Sequence, residues 1–164
     1  MSNKQRFLYQ DFSDPKAQLV TADNNQNAYD IYCPQPSCRC LLLRTSFGNF
    51  VEKPKDKTVL LPSTEKLDPN GTTISKENAN WNGTNGESTS QSTVEYWQLT
   101  DMMAFENIGF SKTVEGSGLK YLCCADCNIG PIGYHDTNAQ EKEYLLVVNR
   151  VSYDVGSLIS EEIV

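Results

Sequence analysis

Two cysteine pairs lie far apart in this chain. Cys33 and Cys38 are separated by four residues, Cys124 and Cys127 by two. A spacing this short bends the backbone so that both sulfurs face one point. Two such knuckles brought together complete a tetrahedral thiolate site with metal–sulfur distances of about 2.3 Å. One ion held in this way would tie the N-terminal region to the C-terminal region and shape the whole domain. The competing chemistry for the same residues is a pair of disulfides. Compartment bears on the choice. The opening residues MSNKQRF carry no apolar stretch of the kind a secretory leader needs. No run approaches the roughly 20 apolar residues of a membrane helix. A cytoplasmic protein is expected, where disulfides are rare, so the four thiols are read as ligands of one structural Zn2+.

Little else in the chain suggests covalent chemistry. A site closed by four cysteines leaves no position for water, which makes the metal structural rather than catalytic. Of the remaining thiols, Cys40 sits two residues past Cys38 and could compete for the metal. Cys123 alternates with Tyr121 and Leu119 on a predicted strand face, as a buried, inert thiol would. The single histidine, His135, has no carboxylate or nucleophile patterned around it. No glycine-rich phosphate loop is visible. The formal net charge of −7 removes the general attraction to nucleic acid or anionic lipid. Lys53, Lys55 and Lys57 form only a small basic group, read as a solvated loop. Asp126, between the second pair of ligands, is held out by a rigid knuckle. It is placed either to touch a partner or to bond to its own turn.

The elements that must position these residues are short. Residues 1–28 are polar and weakly patterned, and are read as a flexible extension. Residues 29–155 form the zinc-binding domain, and 156–164 a tail. Cys40 to Arg44 and Phe47 to Val51 look like a strand and its return about a Gly48-Asn49 turn. Residues 58–61 make another short strand. From about 63 to 93, Gly, Asn, Ser and Thr dominate, which predicts a long disordered loop with Trp81 as its one large aromatic. Strand formers return at Val94 to Leu99 and at Lys120 to Cys124. The run from Glu143 to Tyr153 is the strongest strand signal of all. No long amphipathic helix is visible. The fold class is mainly β, with a metal staple and one large loop.

The segment Asp101 to Phe110 carries two Met and two Phe among Asp, Glu and Asn, a composition suited to an adaptable binding surface. It also opens a specific pattern. Phe105-Glu106-Asn107-Ile108-Gly109-Phe110 is followed by Lys120-Tyr121-Leu122, then Cys124-Ala125-Asp126-Cys127, then Ile129-Gly130-Pro131-Ile132-Gly133-Tyr134-His135, and later Asn149-Arg150-Val151-Ser152. This series closely resembles the Rab-interacting exchange factors, the mammalian suppressor-of-Sec-four proteins and their yeast relatives. The resemblance is dense over residues 94–153 and weaker toward the first knuckle.

The resemblance implies a β-tent of curved antiparallel sheets, with one zinc on Cys33, Cys38, Cys124 and Cys127. It implies a monomeric, cytoplasmic guanine-nucleotide-releasing factor and chaperone for nucleotide-free Rab GTPases in secretory vesicle transport. Such a protein acts by binding alone, without nucleic acid and without membrane insertion. It points to Asp101, Met102, Phe105, Glu106, Asn107 and Asp126 as partner contacts. The chain departs from the pattern in the wider first knuckle, the extra Cys40 and the long 63–93 loop. A competing enzyme class is a zinc-containing β-tent redox enzyme of the methionine-R-sulfoxide reductase type, which would need Cys40 as an exposed, reactive thiol.

Overall fold

The computed structural model describes residues 6–155 apart from 36, 39, 56–60, 62–64, 68–72, 76–92, 115 and 117, with the backbone alone at 65–67 and 73–75. In chain order the first strands and the one short helix are β1 (Phe7–Leu8), α1 (Pro15–Leu19), β2 (Asp30–Tyr32), β3 (Leu41–Leu43) and β4 (Asn49–Pro54). Next come β5 (Glu65–Leu67), β6 (Thr73–Ser75), β7 (Thr93–Leu99), β8 (Ile108–Phe110) and β9 (Leu119–Cys124). The last are β10 (Ile129–Gly130), β11 (Gly133–Asp136), β12 (Tyr144–Val147) and β13 (Ser152–Asp154). They build a four-stranded sheet in the order β1-β13-β2-β3, a six-stranded sheet β4-β7-β12-β11-β9-β8 and a three-stranded sheet β10-β5-β6, with antiparallel neighbours. The fold is mainly β, as expected.

The six-stranded sheet is apolar on both faces. Trp97, Leu99, Leu122, Tyr144 and Leu146 enter the main core with Ile31, Leu42, Leu43, Val151 and Tyr153. Their neighbours along the same strands, Tyr96, Leu119, Leu145 and Val147, enter a second cluster with Leu61 and Tyr134. Adjacent strand residues point to opposite faces, so a strand buried on both faces reads as an unbroken apolar run. That is why Glu143 to Tyr153 looks like one long strand. The structure breaks it. A 3-10 turn at Val148–Arg150 ends β12, and β13 continues in the four-stranded sheet. The corner is locked from inside: the Trp97 Nε1–H donates to the Tyr153 hydroxyl at 2.9 Å, and that hydroxyl donates to the Val148 carbonyl at 2.6 Å. The Arg150 guanidinium, also buried, donates to the Pro131 carbonyl at 2.8 Å.

Three expectations change. The segment expected to be a flexible extension is folded from Arg6 onward. β1 pairs with β13, Phe12 and Leu19 are core residues, and Asn27 is fully buried. Asn27 accepts from the Gly48 N–H at 2.8 Å and donates to the Arg44 carbonyl at 3.1 Å, so it holds the turn between β3 and β4. Those two strands are not a hairpin: β3 pairs with β2 and β4 with β7, in different sheets. A plausible turn cannot pair two strands whose buried faces belong to separate sheets. Within the expected disordered loop, β5 and β6 are strands, and β5 pairs with β10. The rest of that loop, Trp81, residues 58–60 and the 156–164 tail lie outside the described residues. Among the described residues no helix is long and apolar enough to cross a membrane.

Candidate metal centre

Each knuckle grows from the end of a strand. β2 delivers Cys33, and its exit is fixed when the Ser152 hydroxyl donates to the Cys33 carbonyl at 2.9 Å. The first knuckle closes through the Cys38 N–H bonding to the Gln35 carbonyl at 3.0 Å, and the Cys33 N–H to the Cys40 carbonyl at 3.0 Å. β9 ends on Cys124, and the second knuckle closes through the Asn128 N–H on the Cys124 carbonyl at 2.9 Å. Asn128 adopts φ of 63°, in the left-handed region that asparagine tolerates best after glycine. The two sheets thus present one knuckle each to the same point.

The four sulfurs converge. The Sγ atoms of Cys33, Cys38, Cys124 and Cys127 all lie within 4.8 Å of one another. Cys33 to Cys127 is 3.5 Å and Cys38 to Cys124 is 3.7 Å. A disulfide requires about 2.05 Å, and all six cysteines are free. The edge of a tetrahedron with metal–sulfur bonds of about 2.3 Å is about 3.8 Å. The cluster therefore has the dimensions of a four-thiolate metal cage. Cys33, Cys38 and Cys124 are buried and Cys127 is half-buried, so the cage is nearly closed to water.

Within the cluster the thiols hold their protons unequally. Hydrogen bonds from Cys127 and then Cys33 favour the thiolate at Cys124. The contact with Cys124 is the largest cause keeping the proton on Cys33 and on Cys127, while the Cys33 contact works the other way at Cys127. A divalent cation would replace those shared protons. Cys40, the thiol a redox enzyme would need, is different. It is half-buried, and burial followed by the nearness of Cys124 pushes it up to about 12. A nucleophilic thiolate needs the opposite. Cys123 is buried and pushed up to about 11 by that burial, as an inert thiol should be. His135 stacks on Tyr144 at 4.3 Å with Nδ1 2.8 Å from the Glu143 carbonyl. Lys53 pairs with Glu143 at 3.2 Å.

The segment from Asp101 to Asn107 is sutured to this centre. Its last residue bridges the second knuckle and β3: the Asn107 carbonyl accepts from the Ala125 N–H at 3.0 Å, and its side-chain amide donates to the Leu41 carbonyl at 2.8 Å. Ile108 then pairs with Cys124. The Glu106 N–H donates to the Leu42 carbonyl at 2.9 Å, and its carboxylate pairs with Arg44 at 2.7 Å. Phe105 is half-buried, edge-on to Tyr144. Asp101 caps a 3-10 turn at Met102–Ala104 by accepting from the Met103 N–H at 2.9 Å. Met102 and Met103 stand outside, 43% and 80% exposed. Asp126 is exposed beside Ala125, 3.5 Å from the Cys38 sulfur, which donates to it. That bond needs the thiol proton, and a metal-ligating thiolate has none to give.

The structure thus brings all four expected ligands to one point, with Asn107 and Asp126 beside them. It assigns Asp101, Glu106 and Asn107 bonds that shape the turn. Both methionines belong to the segment whose composition suited a binding surface, but the exposure of Phe47, 53% exposed, was missed in the sequence. Nothing local marked Phe47.

Comparison with known proteins identifies the family. The family profile described as Mss4 protein matches residues 26–153. The chain belongs to the Mss4 family. One relative is the "Guanine nucleotide exchange factor MSS4 homolog" of Drosophila melanogaster, 33% identical over 130 residues that span 79% of this chain and 84% of that protein. A second, of Schizosaccharomyces pombe and with the same description, is 42% identical over 55 residues, 34% of this chain and 52% of that protein. The Mss4 match includes both knuckles and the turn between them, and begins after α1.

Proposed function

We propose that this protein is a guanine-nucleotide-releasing factor and chaperone for a nucleotide-free Rab-family GTPase of secretory vesicle transport. It acts in the cytoplasm as a monomer and makes and breaks no covalent bond. The observation that carries the reading is the exposed Met102–Met103 turn, flanked by Asp101, Phe105, Glu106 and Asn107 and sutured to a four-thiol cage beside Asp126. The names of the two relatives support the exchange-factor part. Cys33, Cys38, Cys124 and Cys127 would hold one Zn2+, the ion that best suits four tetrahedral thiolates. The metal would supply rigidity rather than reactivity, because four protein ligands leave it no open position.

The physical logic is linkage. A small GTPase grips its nucleotide through a phosphate loop, Mg2+ and switch segments. A partner that prefers the empty shape lowers nucleotide affinity by the factor by which nucleotide lowers the partner's own. Such work needs a stiff surface that holds its shape while the GTPase deforms. Flexible methionines offer apolar contact to a remodelled switch region, and Asp126 offers charge. The test is retention of purified Rab GTPases on the immobilised protein, paired with release of a fluorescent nucleotide. Capture of the empty form, its loss on adding GTP, and accelerated release are expected. Equal capture with and without GTP would overturn the reading. Asp126→Ala should weaken capture and leave the fold intact; unchanged nucleotide release would remove Asp126 from the contact.

A further inference from the structure

The Mss4 match begins at residue 26. The segment before it is nevertheless built into the fold at the metal. β1 lies on β13, which places Arg6 at the outer side of the first knuckle. The Arg6 guanidinium lies 3.9 Å above the Tyr32 ring, the residue immediately before the ligand Cys33. Its Nη1 donates to the carbonyl of the ligand Cys38 at 3.2 Å. One side chain therefore grips both ends of the knuckle. The segment is secured further along its length. The Tyr9 hydroxyl donates to Glu95 on β7 at 2.8 Å, Phe12 packs edge-on to Tyr153, and Lys16 reaches Glu52 on β4 at 2.9 Å.

We infer that Arg6 is a positioning residue of the metal centre, a clasp from outside the family's common segment that keeps the first knuckle closed on its ion. Two physical arguments carry this. Four thiolates around a divalent ion leave excess negative charge, and a half-buried guanidinium bonded to a ligand's backbone offsets it. A knuckle of four intervening residues has more freedom to open than one of two, and a planar cation both stacked and hydrogen-bonded removes that freedom. Lysine could supply the charge but neither the stacked plane nor the fork.

The inference rests on the proposed zinc site and is independent of the GTPase reading. The test measures metal content of the purified full chain, then the rate at which a chromogenic chelator removes zinc, beside the denaturant midpoint of each loaded protein. Arg6→Ala should release zinc about 10-fold faster than the parent, in the range that outer-sphere ligand partners produce. Arg6→Lys should fall between the two. Lys16→Ala loosens the same segment without touching the knuckle and should release at the parental rate. Arg6→Ala releasing at the parental rate, or accelerating no more than its loss of global stability accounts for, overturns the clasp while leaving the zinc site standing. A parent protein that purifies without stoichiometric metal overturns both, and is told apart by the first measurement.

Discussion

The cysteine cage and the turn beside it use neighbouring backbone in opposite ways. At the cage, side chains point inward and three of the four ligands are buried; every strand that enters it is paired. At the Asp101–Asn107 turn, the polar side chains bond back to the scaffold while two methionines face outward. An exposed apolar tip usually collapses onto its own domain or invites aggregation. Here the tip is held out, because Asn107 is stitched to β3 and to the second knuckle and Asp101 caps the turn. The residues that brace the turn and the apolar residues it exposes are thus different and lie a few positions apart. On the proposed reading, an ion in the cage would set where the turn stands, and the methionines would set what it touches.

This division can be broken most severely at the cage. Cys124 lies at the junction of β9, the second knuckle and the pairing with Ile108. Cys124→Ser should abolish stoichiometric metal and lower stability by more than about 4 kcal/mol, since a structural ion contributes folding free energy directly. Elemental analysis and denaturant unfolding measure the two effects. A variant that loses the metal yet unfolds at the parental midpoint would show that the cage does not support the turn.

Asp101 tests whether the turn's shape and its contacts separate. Asp101→Ala removes the cap on Met103 and should cost about 1 kcal/mol of stability. GTPase binding should weaken with it, because the methionines lose their fixed presentation. Met103→Ala sharpens the contrast. With 80% of Met103 exposed, stability should move by less than about 0.5 kcal/mol. Affinity for the nucleotide-free GTPase should fall about fivefold, a loss of about 1 kcal/mol. Calorimetric titration beside thermal unfolding reads both quantities. Equal losses in stability and binding for Met103→Ala would erase the distinction between the two regions.

The same contrast explains what was legible in the sequence. Ligand chemistry is local: two short spacings bring sulfurs together whatever surrounds them, so Cys33, Cys38, Cys124 and Cys127 could be read directly. Strand existence was readable for the same reason at β7 and β9, where strand formers are dense. Partnership was not. Phe12 and Leu19 follow neither a strand nor a helix period, so nothing local announced that they enter the core, with Phe7 packed against it. They are single anchors from short pieces, and only tertiary contact gives them meaning. The β3–β4 turn looked like a hairpin because its residues suit one; the buried Asn27, from another segment, directs the strands apart. Exposure was the hardest to foresee. A Met or Phe carries no mark of which side it faces, and Phe47 stands outside while Phe50, three residues later, lies inside on Trp97.

The mildest test sits where the N-terminal segment meets β7. Glu95 accepts from the Tyr9 hydroxyl, and its other oxygen, Oε2, is buried with no hydrogen-bond partner. Burial is the main reason its carboxyl is held above the usual carboxylate range; the Tyr9 bond works the other way, and Glu52 nearby adds to the rise. The folded protein therefore keeps this proton at a pH where the unfolded chain has released it. The resulting stability is fully present below the ordinary carboxylate pKa and is lost as pH rises through the folded value. Glu95→Gln imitates the protonated form at every pH and can still accept from Tyr9. The variant and its parent should unfold at the same denaturant concentration in acid. As pH rises toward neutral the variant should become the more stable by a few tenths of a kcal/mol, about the size of an ordinary surface effect. Nucleotide release by the GTPase should not change. A difference between the two proteins that stays constant with pH would mean that the carboxylate is hydrated when folded, and that the segment binds β7 without straining it.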